Sequence, residues 1–140
     1  MVKVYAVFDT NVIVSALLTR HPDSPTATLL NMVMDGIITP VFNDEILKEY
    51  KEVLGRKKFG FTSNQVYSVI SALATGINMK RVHSGLNFPD PDDAVFYEVA
   101  LSKEDSYLIT GNIRHFPRVC KVVSPTEMLD IIYNGDAQKL

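Results

Sequence analysis

An almost uninterrupted apolar run, VYAVF at residues 4–8, ends directly at a carboxylate, Asp9. Such a run is typical of a strand that is buried on both faces, as in parallel sheets flanked by helices. In open sheets of that kind, ligands bind outside the carboxyl ends of the strands. Asp9 is therefore expected to lie in an active site.

A second short apolar run, residues 107–110, ends in a similar way and breaks into Gly111 and Asn112. If the two strands are parallel neighbours, their polar ends converge on one edge of the sheet. A functional site at that edge is then more plausible than two unrelated loops.

Helical and strand-like patterns alternate along the chain, without repeats or a linker. We predict strands over residues 4–8, 37–42, 107–110 and 119–123, and helices over residues 11–19, 24–34, 43–54, 62–74, 90–100 and 124–132. Strands separated by helices predict an α/β fold, a three-layer α/β/α sandwich with a mainly parallel central sheet.

The length of 140 residues and the hydrophobic fraction of 46% fit a single domain, residues 1–140. Such a domain buries roughly two-thirds of its unfolded surface. The one cysteine, Cys120, permits no internal disulfide. Because it lies in the predicted strand 119–123, we expect a small core residue there.

The chain shows neither a secretory leader nor eighteen uninterrupted apolar residues, so we expect a soluble, cytoplasmic protein without a membrane partner. A formal charge of −2 and a pI near 5.9 give no footprint for duplex DNA or an anionic membrane. A polyanionic substrate would therefore need local positive charge or a bound metal.

Two groups of acids offer candidates for such a metal. In the third predicted helix, Glu49 falls only ~40° beyond the apolar stripe, whereas Glu45 and Glu52 lie further towards solvent. At the start of the fifth helix, capping explains one or two acids of the sequence DPDD. We select Asp93 because it lies deepest in that helix.

Carboxylates gathered in one pocket repel one another and have raised pKa values unless a cation neutralises them. Oxygen-only ligation favours Mg²⁺ or Mn²⁺, which also suit phosphate chemistry. Zinc is disfavoured, because there is no second cysteine and His21, His83 and His115 show no ligand spacing.

Four segments, FDTNVIVSALL, EILKEYKEVL, DPDDAVFYEVA and LITGNIRHFP, resemble the PIN-domain family, specifically its branch of VapC-like toxins. They occur in the right order over nearly the whole chain. The resemblance implies a metal-dependent endoribonuclease, often the toxin of a toxin–antitoxin pair. It also implies an RNA substrate, a cognate antitoxin protein as partner and a homodimer.

The resemblance places the family's first three acids, the expected metal ligands, on Asp9, Glu49 and Asp93. The fourth acidic position falls on Asn112, a departure that is common in this branch and that weakens a second metal site. Thr110 matches a polar residue at the preceding strand end. Thr110 and Asn112 are expected to orient the water or the scissile phosphate.

Further residues are candidates for RNA contact. Asn11 matches the polar residue after the first acid, and His115 lies where relatives often carry Asp or His. The basic cluster Arg56, Lys57 and Lys58 precedes two phenylalanines, which predicts a path for an RNA backbone with a stacked base. A solvated turn after a helix end explains the same cluster. Arg114 and Arg118 flank the expected cleft.

Three alternatives remain open. A haloacid-dehalogenase-type phosphatase also begins with a strand ending in Asp, but its second Asp falls where this chain has Asn11. A response-regulator receiver requires a lysine after a later strand, which Gly111 and Asn112 do not offer. A non-catalytic PIN fold that binds RNA or a partner is favoured by the loss of the fourth acid and disfavoured by the three that remain.

Overall fold

The computed structural model describes residues 3–135 and contains five strands and six helices in this range. The strands are β1 (Val4–Phe8), β2 (Ile38–Phe42), β3 (Ile77–Asn78), β4 (Ser106–Ile109) and β5 (Val122–Val123). The helices are α1 (Thr10–Leu18), α2 (Pro25–Met34), α3 (Asp44–Leu54), α4 (Ser63–Ala74), α5 (Ala94–Ser102) and α6 (Pro125–Tyr133). Single 3₁₀ turns cover Lys57–Phe59, Pro91–Asp93 and Ile113–His115.

The strands form one sheet in the order β3-β2-β1-β4-β5, and each neighbouring pair is parallel. The chain moves outward from β1 to β2 and β3 and then returns to β4 on the other side of β1. Because parallel crossovers are right-handed, this reversal places α5 on the face opposite to α1 and α2. The predicted three-layer α/β fold with a parallel sheet is confirmed.

Side-chain caps begin four of the helices where the sequence predicted them. Ser24, Asn43, Thr62 and Ser124 each accept a hydrogen bond from the backbone N–H three residues later. These caps satisfy N–H groups that have no partner inside the helix. Local sequence therefore determines these helix starts.

The edge strand β3 was not predicted. It has two residues, paired with Val41 and Phe42, so it carries no alternating pattern that a sequence could reveal. The chain reaches this edge through Gly76, where an added Cβ would lie 1.8 Å from the carbonyl oxygen of Pro40. Only glycine permits the backbone to approach so closely.

Two predictions near the end of the chain need correction. The strand predicted over residues 119–123 is limited to Val122–Val123, and the expectation that Cys120 is buried is wrong. Cys120 is exposed because it lies in a turn, which the N–H of Val122 closes by donating to the carbonyl of Val119 at 3.0 Å.

The fifth helix begins later than predicted. Residues 91–93 form a 3₁₀ turn, and the α-helix starts at Ala94. Asp90 caps that turn by accepting from the N–H of Asp92 at 3.0 Å, as the capping interpretation predicted. Residues 95–100 of α5 are all buried, so this helix packs tightly against the sheet.

None of the helices within residues 3–135 is both long enough and apolar enough to cross a membrane.

Candidate active site

The carboxyl ends of β1 and β4 meet at the position where the direction of the strand order reverses. Phe8 pairs with Ile109, and the N–H of Asp9 donates to the carbonyl of Ile109 at 2.9 Å. Open parallel sheets bind their ligands at such a reversal. The two polar strand ends therefore converge as predicted, and Asp9 and Thr110 follow directly on neighbouring strands.

A small hydrogen-bond network holds the Asp9 side chain. The Thr110 hydroxyl donates to Asp9 Oδ2 at 2.7 Å, and Asn11 Nδ2 donates to the same oxygen at 3.2 Å. The other end of the Asn11 amide accepts from the N–H of Gly111 at 3.2 Å. Asn11 thus connects the two strand ends as well as orienting the carboxylate.

Thr110 is fully buried, and its hydroxyl group connects the ends of β1 and β4. Its hydroxyl oxygen accepts from the backbone N–H of Asn112 at 3.0 Å while the hydroxyl donates to Asp9. The contact of Asn112 with this network therefore runs through its backbone. The residue itself is exposed at the start of a 3₁₀ turn.

Glu49 on α3 joins the site through a residue that the sequence did not single out. The hydroxyl of Thr10, the first residue of α1, donates to Glu49 Oε2. The sequence signal was the position of Thr10 directly after Asp9. Both acids are thereby positioned by hydroxyl groups that follow strand ends.

Asp93 lies at the junction between the 3₁₀ turn and α5. Its Oδ2 lies 3.3 Å from Nδ1 of His115, with the two side chains 17% and 45% exposed. His115 therefore contacts one of the three acids. Asp93 is less buried than Asp9, and its contact with His115 is longer than the 2.7 Å hydrogen bond between Thr110 and Asp9.

The electrostatics of the three acids are coupled. The pKa of Asp9 is raised to about 6: burial raises it most, the Thr110 hydrogen bond lowers it, and the charge of Asp93 raises it. Burial also raises the pKa of Glu49, with contributions from the charges of Asp9 and Asp92. The pKa of Asp93 is raised by burial and by Asp90, against a lowering by His115. We call Asp9, Glu49 and Asp93 the acid cluster.

The donor chemistry of the acid cluster fits a hard divalent cation, because carboxylates that raise each other's pKa values are stabilised by positive charge. Within residues 3–135, however, no three side chains of His, Cys, Asp or Glu form a group close enough to hold a metal ion. The three carboxylates act on one another electrostatically without forming a ready coordination shell. The assignment of Asp9, Glu49 and Asp93 as metal ligands stays a prediction.

A cleft of about 670 Å³ opens beside the acid cluster and is bordered by Asn11, Glu49 and Phe59. Phe59 stacks on Phe61 with ring centroids 5.5 Å apart, and the ammonium of Lys58 lies 5.1 Å from the Phe59 centroid. The segment with the basic cluster therefore reaches the cleft. Its exposed lysines lie at the margin of the site.

Arg56 is positioned differently from the two lysines. Its Nη2 donates to Glu52 Oε2 at 2.9 Å, one helical turn earlier, in an exposed ion pair. The alternative interpretation, a solvated helix end, describes this residue. Arg114 and His115 border a separate hollow of about 400 Å³ together with Asn112. Arg118 is exposed.

Tyr50 is a further residue that sequence reasoning missed. It is fully buried on α3, one position after Glu49, and its hydroxyl donates to the backbone carbonyl of Phe8. This bond attaches α3 to the last residue of β1, directly before Asp9. Its position fits the apolar stripe of α3, but that pattern gives no indication of a partner for the hydroxyl group.

A family model described as a PIN domain matches residues 5–114, which is most of the chain. No curated protein and no solved structure matches the chain. PIN domains are typically metal-dependent nucleases, and the acids at the reversal of a parallel sheet are consistent with that chemistry. The chain belongs to the PIN-domain family.

Proposed function

We propose that this chain is an endoribonuclease that depends on Mg²⁺ or Mn²⁺, with Asp9, Glu49 and Asp93 as the metal ligands. The observation that carries the proposal is the buried carboxylate of Asp9, with a pKa raised to about 6 and two further acids acting on it. Burial of repelling carboxylates costs stability, and a divalent cation offsets that cost.

The residues of the chain prepare the site before any ion binds. Thr110 and Asn11 fix the orientation of Asp9, and Thr10 fixes Glu49. When bound, a divalent ion supplies an activated water and offsets negative charge on the phosphate. Asp93 is held more loosely by His115, so it is the ligand with most freedom to adjust.

RNA is the proposed substrate, single-stranded or looped, since cleavage needs access to an unstacked backbone. The net charge of −2 makes local cations necessary for binding a polyanion. Lys57 and Lys58, which precede Phe59 at the border of the cleft, and Arg114 beside Asn112 supply them. His115 is a further proposed RNA contact. We propose that Asn112 and Thr110 orient the scissile phosphate or the attacking water.

Asn11 bears on the phosphatase alternative. A haloacid-dehalogenase-type enzyme uses a second acid at this position, whereas here the amide group bridges Asp9 and Gly111 through both its ends. This bridging role disfavours a phosphatase. One feature favours a non-catalytic PIN fold: the amide of Asn112 stands in place of a fourth acid. An RNA cleavage assay distinguishes this alternative from a nuclease.

The test is Mn²⁺-dependent cleavage of a fluorescent single-stranded RNA by native protein and by Asp9→Asn. We expect the substitution to lower the rate by about a hundredfold or more, because it removes charge at the reacting centre. Asp23→Asn, an exposed acid in the loop before α2, serves as the matched control and should cleave like the native protein. Equal cleavage by native protein and Asp9→Asn would contradict the proposal. No cleavage by any of them would support a non-catalytic protein.

We further propose that the chain is a VapC-like toxin that acts in the cytoplasm as a homodimer and is inhibited by a cognate antitoxin. This assignment is supported by the resemblance of the four sequence segments. Expression of the native chain should arrest growth of its host, and Asp9→Asn should not. Harmless expression of an active nuclease would contradict the toxin role and leave the nuclease role intact.

A further inference from the structure

Glu98, near the middle of α5, is a buried carboxylate outside the acid cluster. It is 5% exposed, and both of its oxygens are occupied. Oε1 accepts from Arg81 Nε at 2.8 Å and lies 2.6 Å from Arg81 Nη2. Oε2 accepts from the N–H and the hydroxyl of Ser84, at 2.9 and 2.8 Å.

The same guanidinium reaches a second helix. Arg81 Nη1 donates to Oε2 of Glu45 on α3 at 2.9 Å. Glu45 lies one helical turn before Glu49, and Glu98 lies five residues after Asp93. One side chain therefore connects α3, which carries Glu49, with α5, which begins directly after Asp93. We call these contacts the Arg81 bridge.

Glu49 on α3 and the acids directly before α5 repel each other. Glu49 acts on the charge of Asp93, and the neighbouring acids Asp90 and Asp92 act on Glu49. A planar guanidinium with several fixed donors is suited to holding two carboxylates at a defined separation. Arg81 attracts Glu45 on α3 and Glu98 on α5 and so opposes this repulsion. It does not contact the acid cluster itself.

We propose that Arg81 is a positioning residue, which sets the spacing of α3 and α5 and through it the distance between Glu49 and Asp93. Its consequence for metal binding rests on the proposed nuclease function. The contacts explain why the chain buries a charged residue in α5 at a position where an apolar side chain would fill the same space. They also explain how the loop between β3 and the 3₁₀ turn influences the site.

The first variant is Glu45→Gln, which removes one end of the bridge. Glu45 is 59% exposed, so the loss of this pair leaves the melting temperature nearly unchanged. A role limited to stability predicts no further effect. We expect the affinity of the metal-free protein for Mn²⁺, titrated by electron paramagnetic resonance, to fall about threefold, with the KM for RNA unchanged.

The second variant combines Arg81→Met with Glu98→Leu, because removal of one partner alone leaves a buried charge and threatens folding. Apolar replacement of both partners of a buried ion pair is often neutral for stability. We expect this variant to fold and to bind Mn²⁺ about tenfold more weakly. Lys103→Ala removes an ion pair with Asp105 at the other end of α5 and is expected to keep native affinity.

A metal-free measurement separates this inference from the proposed function. Nitroxide labels on Lys48→Cys in α3 and Asp92→Cys before α5, in a Cys120→Ser background, report the spacing of the two helices. Loss of the bridge should shift or broaden that distance by about 1–2 Å, the usual scale of helix displacement. An unchanged distance overturns the role of Arg81, whereas absence of Mn²⁺ binding by the native protein overturns only the metal-dependent nuclease.

Discussion

Asp9 and Glu98 are two buried carboxylates in opposite electrostatic situations. They are 6% and 5% exposed. Asp9 is bonded to a hydroxyl and an amide and is acted on by other acids, and its pKa is raised to about 6. Burial also acts to raise the pKa of Glu98, but the hydrogen bonds from Ser84 and Arg81 outweigh it and hold that pKa below its usual value.

The difference shows that burial alone does not mark a functional carboxylate. Glu98 is matched inside the protein by a cation, and it organises two helices and a loop. Asp9 is oriented by neutral groups that leave its charge uncompensated. An uncompensated buried charge is a candidate for balance by a ligand, so the contrast supports the proposed role of Asp9 more strongly than its low exposure does.

The largest expected difference between the two residues is in stability. Glu98→Ala should lower the free energy of unfolding by about 3 kcal/mol, because it leaves the N–H and the hydroxyl of Ser84 without their acceptor and leaves Arg81 with only its exposed pair to Glu45. Asp9→Asn, in metal-free buffer at pH 7, should cause no loss, since it removes an unfavourable charge. Urea denaturation of both variants measures this, and equal losses would remove the distinction.

The pH dependence should have opposite signs at the two sites. Asp9 binds its proton more tightly in the folded state, so its stabilisation is present below the ordinary pKa of an aspartate, 3.8, and is lost as the pH rises through about 6. Roughly two pKa units correspond to about 3 kcal/mol. Unfolding in a chelator between pH 4 and 7 should show this loss for the native protein and not for Asp9→Asn.

Glu98 provides the reverse case for the same experiment. Because its folded-state pKa is lowered, its stabilisation is present above 4.5 and is lost as the pH falls through the folded-state pKa. Glu98→Gln should therefore flatten the acid side of the stability curve. Parallel curves for all three proteins would contradict the assigned directions.

Divalent metal should act at one site only. Mn²⁺ at about ten times its dissociation constant stabilises the native fold by about 1.4 kcal/mol, which raises the melting temperature by about 4 °C. We expect a smaller shift for Asp93→Ala and a native shift for Asp130→Ala, an exposed acid on α6. Equal shifts in all three would remove Asp93 from the metal site.

The smallest expected effect comes from the hydroxyl that orients Asp9. Thr110→Val keeps the shape of the side chain but removes the hydrogen bond that lowers the pKa of Asp9. The acidic limb of the pH–rate profile should therefore move to higher pH. We expect kcat to fall about tenfold, the scale of one hydrogen bond to a charged group. Thr110→Ser retains a hydroxyl and is the control, and an unchanged profile for Thr110→Val would argue against this role.

Much of the fold was predictable because it is encoded locally. The apolar run of β1, the helical spacing in α3 and the caps Asn43 and Thr62 are short-range patterns with one structural solution. The convergence of Asp9 and Thr110 followed from a general property of parallel sheets.

The unpredicted features depend on contacts between residues distant in sequence or on segments too short for a pattern. Arg81 and Glu98 are seventeen residues apart, with no periodicity that connects them. Thr10 reaches Glu49 across thirty-nine residues. Cys120 was misplaced because an apolar run continued into a turn, where local composition and backbone geometry disagree.

Gly76 gives a single hydrogen atom unusual influence over chemistry at a distance. The loop that carries Arg81 leaves the sheet after Asn78, only two residues beyond Gly76, so its starting point is set where Gly76 passes the Pro40 carbonyl. The methyl group of Gly76→Ala would push the start of this loop outward and weaken the contacts of Arg81 with both helices. The spacing within the acid cluster would then change from the opposite end of the sheet, although none of its residues is altered.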